Sequence, residues 1–151
     1  MKKNIPIGYH DFEELIKRGL YYVDKTNIIE EIYSIDKKVF LFPRPRRFGK
    51  TLNMMMLRRY FEVSESSKAH LFDGLHISKW EYFEKYQGKY PVIWLSFKDV
   101  KQNNWKDSYE KIVTDISQEF KRHIYLLESE KLSLTYSPLL SGHRSSTTNM
   151  C

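Results

Sequence analysis

The sequence predicts an α/β fold, a parallel sheet flanked by helices, and three observations lead there. Two short apolar runs, Val39-Phe40-Leu41-Phe42 and Val92-Ile93-Trp94-Leu95-Ser96-Phe97, have the length and lack of alternation of strands buried on both faces. Each run is followed by a segment with helical periodicity. The aromatic content, 11 Tyr, 9 Phe and 3 Trp in 151 residues, is enough to build the core of one domain.

Asp11 precedes the first helical segment, Phe12 to Arg18, and is placed to cap it, with Gly19 as its stop. Tyr21-Tyr22-Val23 reads as extended. Asp24 is expected to cap a second helix from about Lys25 to Ser34, with Ile28, Ile29, Ile32 and Tyr33 on one face. The first apolar run follows, then a loop from Pro43 to Gly49. A third helix from Lys50 to about Glu62 turns Leu52, Met56, Leu57, Tyr60 and Phe61 inward. Ser64 to Lys68 is a polar loop. Ser78-Lys79-Trp80-Glu81 matches a capping box and predicts a helix start. After the second run comes a long helix. Its residues Trp105, Tyr109, Ile112, Val113, Ile116, Phe120, Ile124 and Leu127 recur by threes and fours. Residues 133–151 lose all periodicity and are rich in Ser and Thr, so they read as a disordered tail.

Composition narrows the function classes. No run of 18 apolar residues exists, so no transmembrane helix and no membrane partner are expected. The N-terminus lacks the apolar stretch of a secretory leader. The single cysteine, Cys151, has no internal disulfide partner, and together these features predict a reducing, cytoplasmic setting. The net charge is +6, and Arg44, Arg46, Arg47 and Lys50 fall within seven residues. Such a cluster is either a solvated face or a site for a phosphate-bearing partner, a nucleotide or a nucleic acid.

The first strand-to-helix connection decides between these. It reads Pro43-Arg44-Pro45-Arg46-Arg47-Phe48-Gly49-Lys50-Thr51. A phosphate-binding loop reads G-x-x-x-x-G-K-[ST] in this context, between a buried strand and a helix. Gly49-Lys50-Thr51 supplies its second half, and Arg44 stands where the first glycine would be. Free N–H groups at a helix N-terminus bind anions, and a glycine there lets backbone approach phosphate closely. Arg44 to Thr51 are therefore the candidate binding residues for ATP. Lys50 would meet the β- and γ-phosphates, and the Thr51 hydroxyl would be a Mg²⁺ ligand. The plainer alternative is a basic turn in which Gly49 serves only as a bend.

Several segments also resemble the AAA-ATPase-like domain family. They are Ile5-Pro6-Ile7-Gly8 with Asp11-Phe12, Tyr22-Val23-Asp24-Lys25-Thr26, Arg44 to Thr51, Leu71-Phe72-Asp73-Gly74-Leu75, Tyr90 to Asp99, and Leu126 to Leu132. In that family the first loop glycine is commonly replaced, in an R-P-R-R-F-G-K-[ST] pattern. The resemblance implies an ATP-binding domain of the P-loop type over residues 5–132, often joined to a PD-(D/E)XK nuclease-like domain. The family's second acidic strand, an apolar run ending in Asp-Glu, has no counterpart in this sequence. The expectation is thus an incomplete P-loop NTPase-like sheet in a truncated copy that hydrolyses ATP poorly or not at all.

Asp99 follows the second run by two residues and is weighed as a replacement metal ligand against a plain turn-capping role. Asp24 carries a similar split, capping as the default reading against a contact with the nucleotide region suggested by its place in Tyr22-Val23-Asp24-Lys25-Thr26. His70 and His76, with five residues between them, have no cysteine beside them and no usual zinc spacing. Two further readings stand beside ATP binding. One is a nucleic-acid-binding module using Arg44, Arg46, Arg47, Arg58 and Arg59 on backbone phosphates. The other is an inert or scaffolding fragment.

Overall fold

The computed structural model describes residues 4–128 apart from positions 36, 44, 46, 47 and 99. The predicted tail at 133–151 lies outside the described residues, as does Asp99. The chain divides into two units, Met1–Val92 and Ile93–Cys151.

The first unit is built on three helices. Helix α1 is Phe12–Lys17, α2 is Asn27–Ser34 and α3 is Lys50–Phe61. The Asp11 carboxylate caps α1 by accepting from the Glu14 N–H at 3.0 Å, as its position in the sequence predicts. The helix ends at Gly19 (φ 62°), where the Gly19 N–H reaches the Ile16 carbonyl and the Leu20 N–H reaches that of Leu15. This paired closure of the last turn requires a left-handed residue, which glycine adopts without steric cost. Ile29, Met56 and Tyr60 from α2 and α3 pack with Phe12, Leu71, Phe72 and Ile77 into a core sealed from water. Leu71 and Phe72 lie on a 3₁₀ turn, Ala69–Phe72, and Ile77 on another, His76–Lys79. Edge-on ring contacts, such as Tyr60 on Phe72 at 5.5 Å, give this small core geometric definition beyond area burial.

Ion pairs fasten α1 to α3. The Glu13 carboxylate meets Lys17 at 2.7 Å, Lys68 at 3.0 Å and Arg59 at 3.2 Å. Arg59 also reaches Asp11 at 3.4 Å. The Lys17 ammonium, aided by Lys68 and Arg59 against the opposing effect of burial, holds the Glu13 carboxyl down at about 2.

The predicted parallel sheet is not present among the described residues. Val39–Phe42 and Val92–Phe97 carry no regular secondary structure and belong to no ladder, and the described pairing is a single parallel bridge between Glu62 and Tyr90. Val39, Leu41 and Ile93 are 82%, 85% and 72% exposed. An apolar run registers a demand for burial. It does not say which backbone will meet its N–H and C=O groups, and a strand exists only when one does. In the second unit the Trp94 N–H is taken instead by the Glu119 carboxylate, at 2.5 Å. That carboxylate sits on the long helix α5, Trp105–Arg122; α4 is the short Phe83–Tyr86 of the first unit.

Two helical expectations also change. The Ser78–Glu81 capping box does not form, because the Ser78 hydroxyl donates to the Leu75 carbonyl at 2.7 Å and closes the 3₁₀ turn. Helix α5 does form, capped by Asn104 through the Asp107 N–H at 2.9 Å, but its apolar stripe faces water at Trp105, Tyr109 and Phe120.

Candidate functional site

The candidate site begins where α3 begins. Gly49 is the residue before its first turn, at φ 71° and ψ 19°, in the left-handed region. Its carbonyl accepts the first helical bond, from the Asn53 N–H at 2.9 Å. No side chain caps this end, and the first turn holds no acidic residue. The contrast with α1 and α5, which carry Asp11 and Asn104 caps and acidic first turns, is physical. The partial positive charge at the start of α3 is neutralised by no side chain on its own first turn.

Of the residues expected to bind ATP, Arg44, Arg46 and Arg47 lie outside the described residues. Pro45 and Phe48 are exposed, as are Lys50 and Thr51 on the first turn of α3. The Lys50 ammonium makes a long contact of 3.5 Å back to the Pro45 carbonyl, across the loop it closes. Lys50 and Thr51 therefore stand together at the uncapped helix end. Among the described residues no cluster of three His, Cys, Asp or Glu side chains could hold a metal ion.

A cleft of about 370 Å³ opens beside this helix end. Its walls come from three stretches of the first unit: Pro6, the run from Tyr21 to Lys25, and Phe48 to Asn53. The Tyr21 N–H donates to the Asn4 carbonyl at 2.9 Å, which draws the N-terminal stretch alongside. Sequence reasoning noticed each stretch as a motif but did not join them. Nothing local in Ile5–Gly8 or Tyr21–Lys25 signals a shared wall.

Asp24 has a definite task. Its carboxylate accepts from the Thr26 N–H at 2.9 Å, the Thr26 hydroxyl at 2.7 Å and the His76 N–H at 2.6 Å. The Thr26 hydroxyl oxygen in turn accepts from the buried Ile77 N–H at 3.1 Å. Burial raises the Asp24 pKa, but these hydrogen bonds outweigh it and the net direction is down. Asp24 thus holds the start of the His76–Lys79 turn against α2, which begins one residue after Thr26.

Arg58 and Arg59, weighed for nucleic-acid binding, are engaged within the chain. Arg58 pairs with Glu62 at 2.9 Å, and Arg59 with Glu13 and Asp11.

A family described as "Predicted AAA-ATPase" matches residues 6–149. The chain belongs to the AAA-ATPase-like family. The family match takes in all three stretches that wall the cleft, and it continues past the last motif named above, through 133–149. This AAA-ATPase-like chain is also similar to an Azotobacter chroococcum mcd 1 protein named "Uncharacterized protein in vnfD 5'region", with 35% identity over 99 residues. The aligned stretch is 64% of this chain and 17% of that protein, so the chain spans a small part of its relative's length. No solved structure gives a significant match. No helix among the described residues is long and apolar enough to cross a membrane.

Proposed function

We propose that this chain binds ATP with Mg²⁺ at the loop from Arg44 to Thr51. The observation that carries the reading is the start of α3: a left-handed Gly49 and an uncapped helix end without acidic side chains, followed at once by Lys50 and Thr51. Such an end attracts anions through its free N–H groups and its dipole. Lys50 adds a positive charge for the β- and γ-phosphates, and the Thr51 hydroxyl would be the protein's ligand for the ion. Mg²⁺, when bound with the nucleotide, would neutralise phosphate charge. Family membership supports nucleotide use. The internal ion pairs of Arg58 and Arg59 weigh against the nucleic-acid reading, which needs those side chains for phosphates.

Titration with a fluorescent ATP analogue, with and without Mg²⁺, tests this. Saturable binding that Mg²⁺ strengthens and unlabelled ATP displaces is expected. Duplex DNA binding with no detectable ATP binding would replace this reading with the nucleic-acid one.

A further inference from the structure

Tyr33 on α2 and Tyr86 on α4 bring two phenols together from positions fifty-three residues apart. Their hydroxyls hydrogen-bond at 3.1 Å, and their ring centroids are 4.9 Å apart at 49°. Trp80, just past the His76–Lys79 turn, buttresses both rings. It lies edge-on to Tyr33 at 5.1 Å and stacks on Tyr86 at 5.8 Å. The other tyrosine pairs of this cluster are wider, Tyr33–Tyr82 at 5.7 Å, Tyr86–Tyr90 at 6.3 Å and Tyr82–Tyr86 at 6.4 Å. Tyr33 is 49% exposed and Tyr86 is half-buried, so an oxidant in solution can reach the pair. Oxidised phenols couple at the ring carbons beside the hydroxyl-bearing carbon. In this pair those carbons lie between two close approaches, centroid to centroid and oxygen to oxygen, so a small tilt of either ring brings one from each into bonding range. The bond to Tyr33, with the Lys85 ammonium, holds the Tyr86 pKa below its ordinary value against the effect of burial. A phenol that gives up its proton readily also gives up an electron readily.

We propose that Tyr33 and Tyr86 form an oxidative crosslinking site, at which a peroxidase using hydrogen peroxide joins the two rings and staples α2 to α4. The oxidant takes one electron from each phenol, and each hydroxyl proton passes to solvent. The two phenoxyl radicals pair their unpaired electrons in one carbon–carbon bond between the rings. Each coupled carbon then loses its hydrogen as a proton, each phenol oxygen regains one, and both rings become aromatic again. Two electrons and two protons leave the protein in all, and they reduce one hydrogen peroxide to two waters. The new bond closes a loop of more than fifty residues, which removes freedom from the unfolded chain as a long-range covalent link does. This site is independent of the nucleotide reading.

The test treats the whole 151-residue chain, at high dilution, with a haem peroxidase and hydrogen peroxide. Dityrosine fluorescence should appear in the monomer fraction. Peptide mapping of that fraction should find the Tyr33 and Tyr86 peptides joined, with the loss of two hydrogen atoms. Tyr33→Phe and Tyr86→Phe should each abolish this product, whereas Tyr82→Phe and Tyr90→Phe should leave it. The phenylalanine variants keep every ring of the cluster, and the map of the unmutated chain needs no variant. The crosslinked monomer should melt several degrees higher than the untreated chain. A monomer without dityrosine, a crosslink mapped to another pair, or a yield that neither Tyr33→Phe nor Tyr86→Phe lowers overturns the proposal. A mapped crosslink with an unaltered melting temperature overturns the staple.

Discussion

The Asp24 carboxylate accepts a hydrogen bond from the His76 backbone N–H across 2.6 Å, between residues fifty-two apart in the chain. With the Thr26 bonds it makes one small polar clamp on the start of the His76–Lys79 turn, next to the buried Ile77.

Asp24→Ala should destabilise the first unit by about 1.5–3 kcal/mol, since it strips charge-assisted partners from two backbone N–H groups. The Asp24 pKa is lowered in the folded state, so the contribution is full at neutral pH and is lost as pH falls below the ordinary carboxylate range. Urea titrations at pH 7 and pH 3 check this. The variant's deficit should shrink at pH 3, and an equal deficit at both would refute the clamp.

Glu13 gives a second acid-sensitive contribution with a clearer window. Its pKa is about 2 in the fold against 4.5 ordinarily. The pairs with Lys17, Lys68 and Arg59 are therefore intact above pH 4.5, and their stabilisation fades between 4.5 and 2. Glu13→Gln should lower the melting temperature by several degrees at pH 7 and flatten its dependence on pH in that window. An unaltered slope would show that the network contributes nothing.

Lys50→Ala should weaken ATP binding more than tenfold, the loss of one charge-assisted contact to phosphate, which is about 1.5–3 kcal/mol. Thr51→Val should leave binding without Mg²⁺ nearly unchanged and remove most of the gain that Mg²⁺ provides. Equal losses with and without the ion would show that Thr51 acts on the phosphates and not on the metal.

Gly49→Ala tests the backbone alone. An added Cβ would meet no atom within 4 Å, so any cost comes from the φ of 71°. That cost is about 1–2 kcal/mol for an L-residue held left-handed. A loss of stability of that size with ATP binding also reduced is expected. A neutral substitution would mean that the turn relaxes freely.

Turnover by the 151-residue chain should be far below ~1 s⁻¹, the low end of ordinary enzymes. Asp24, one of the two carboxylates weighed for the site, is held by Thr26 and His76. Phosphoryl transfer needs a group that orients the attacking water, and its loss costs far more in rate than in ground-state binding. Phosphate release above that rate, abolished by Lys50→Ala, would show a complete catalytic set within these residues.

Several local signals in the sequence translated into local structure, although Asp24 does not cap α2, whose preceding residue is Thr26 with no side-chain cap. Asp11 caps α1, Gly19 closes it, and α3 starts at Lys50, since each outcome depends on groups within four residues. The non-local features were not legible. Val39–Phe42 reads as a buried strand because its side chains are apolar, yet ladder formation is decided by distant backbone. The partnership of Asp24 with His76 leaves no periodic trace. The helix start expected at Ser78 failed for a local reason, because a hydroxyl can close a turn behind it as readily as cap a helix ahead of it.

Arg58, Arg59 and Tyr60 fasten the last turn of α3 to Glu62, to α1 and to the core, whereas its first turn, with exposed Lys50 and Thr51 beside half-buried Leu52 and buried Asn53, has no side-chain cap. The helix is thus tied by ion pairs at one end and uncapped at the other. Amide exchange along it should run as a gradient, slow near Tyr60 and fast near Lys50, as local opening starts from the uncapped turn. A phosphate seated on those first N–H groups would do what a capping side chain does elsewhere. The ligand would then complete the helix as well as occupy a site on it, and its arrival would be felt as a stiffening that travels from Gly49 toward the core.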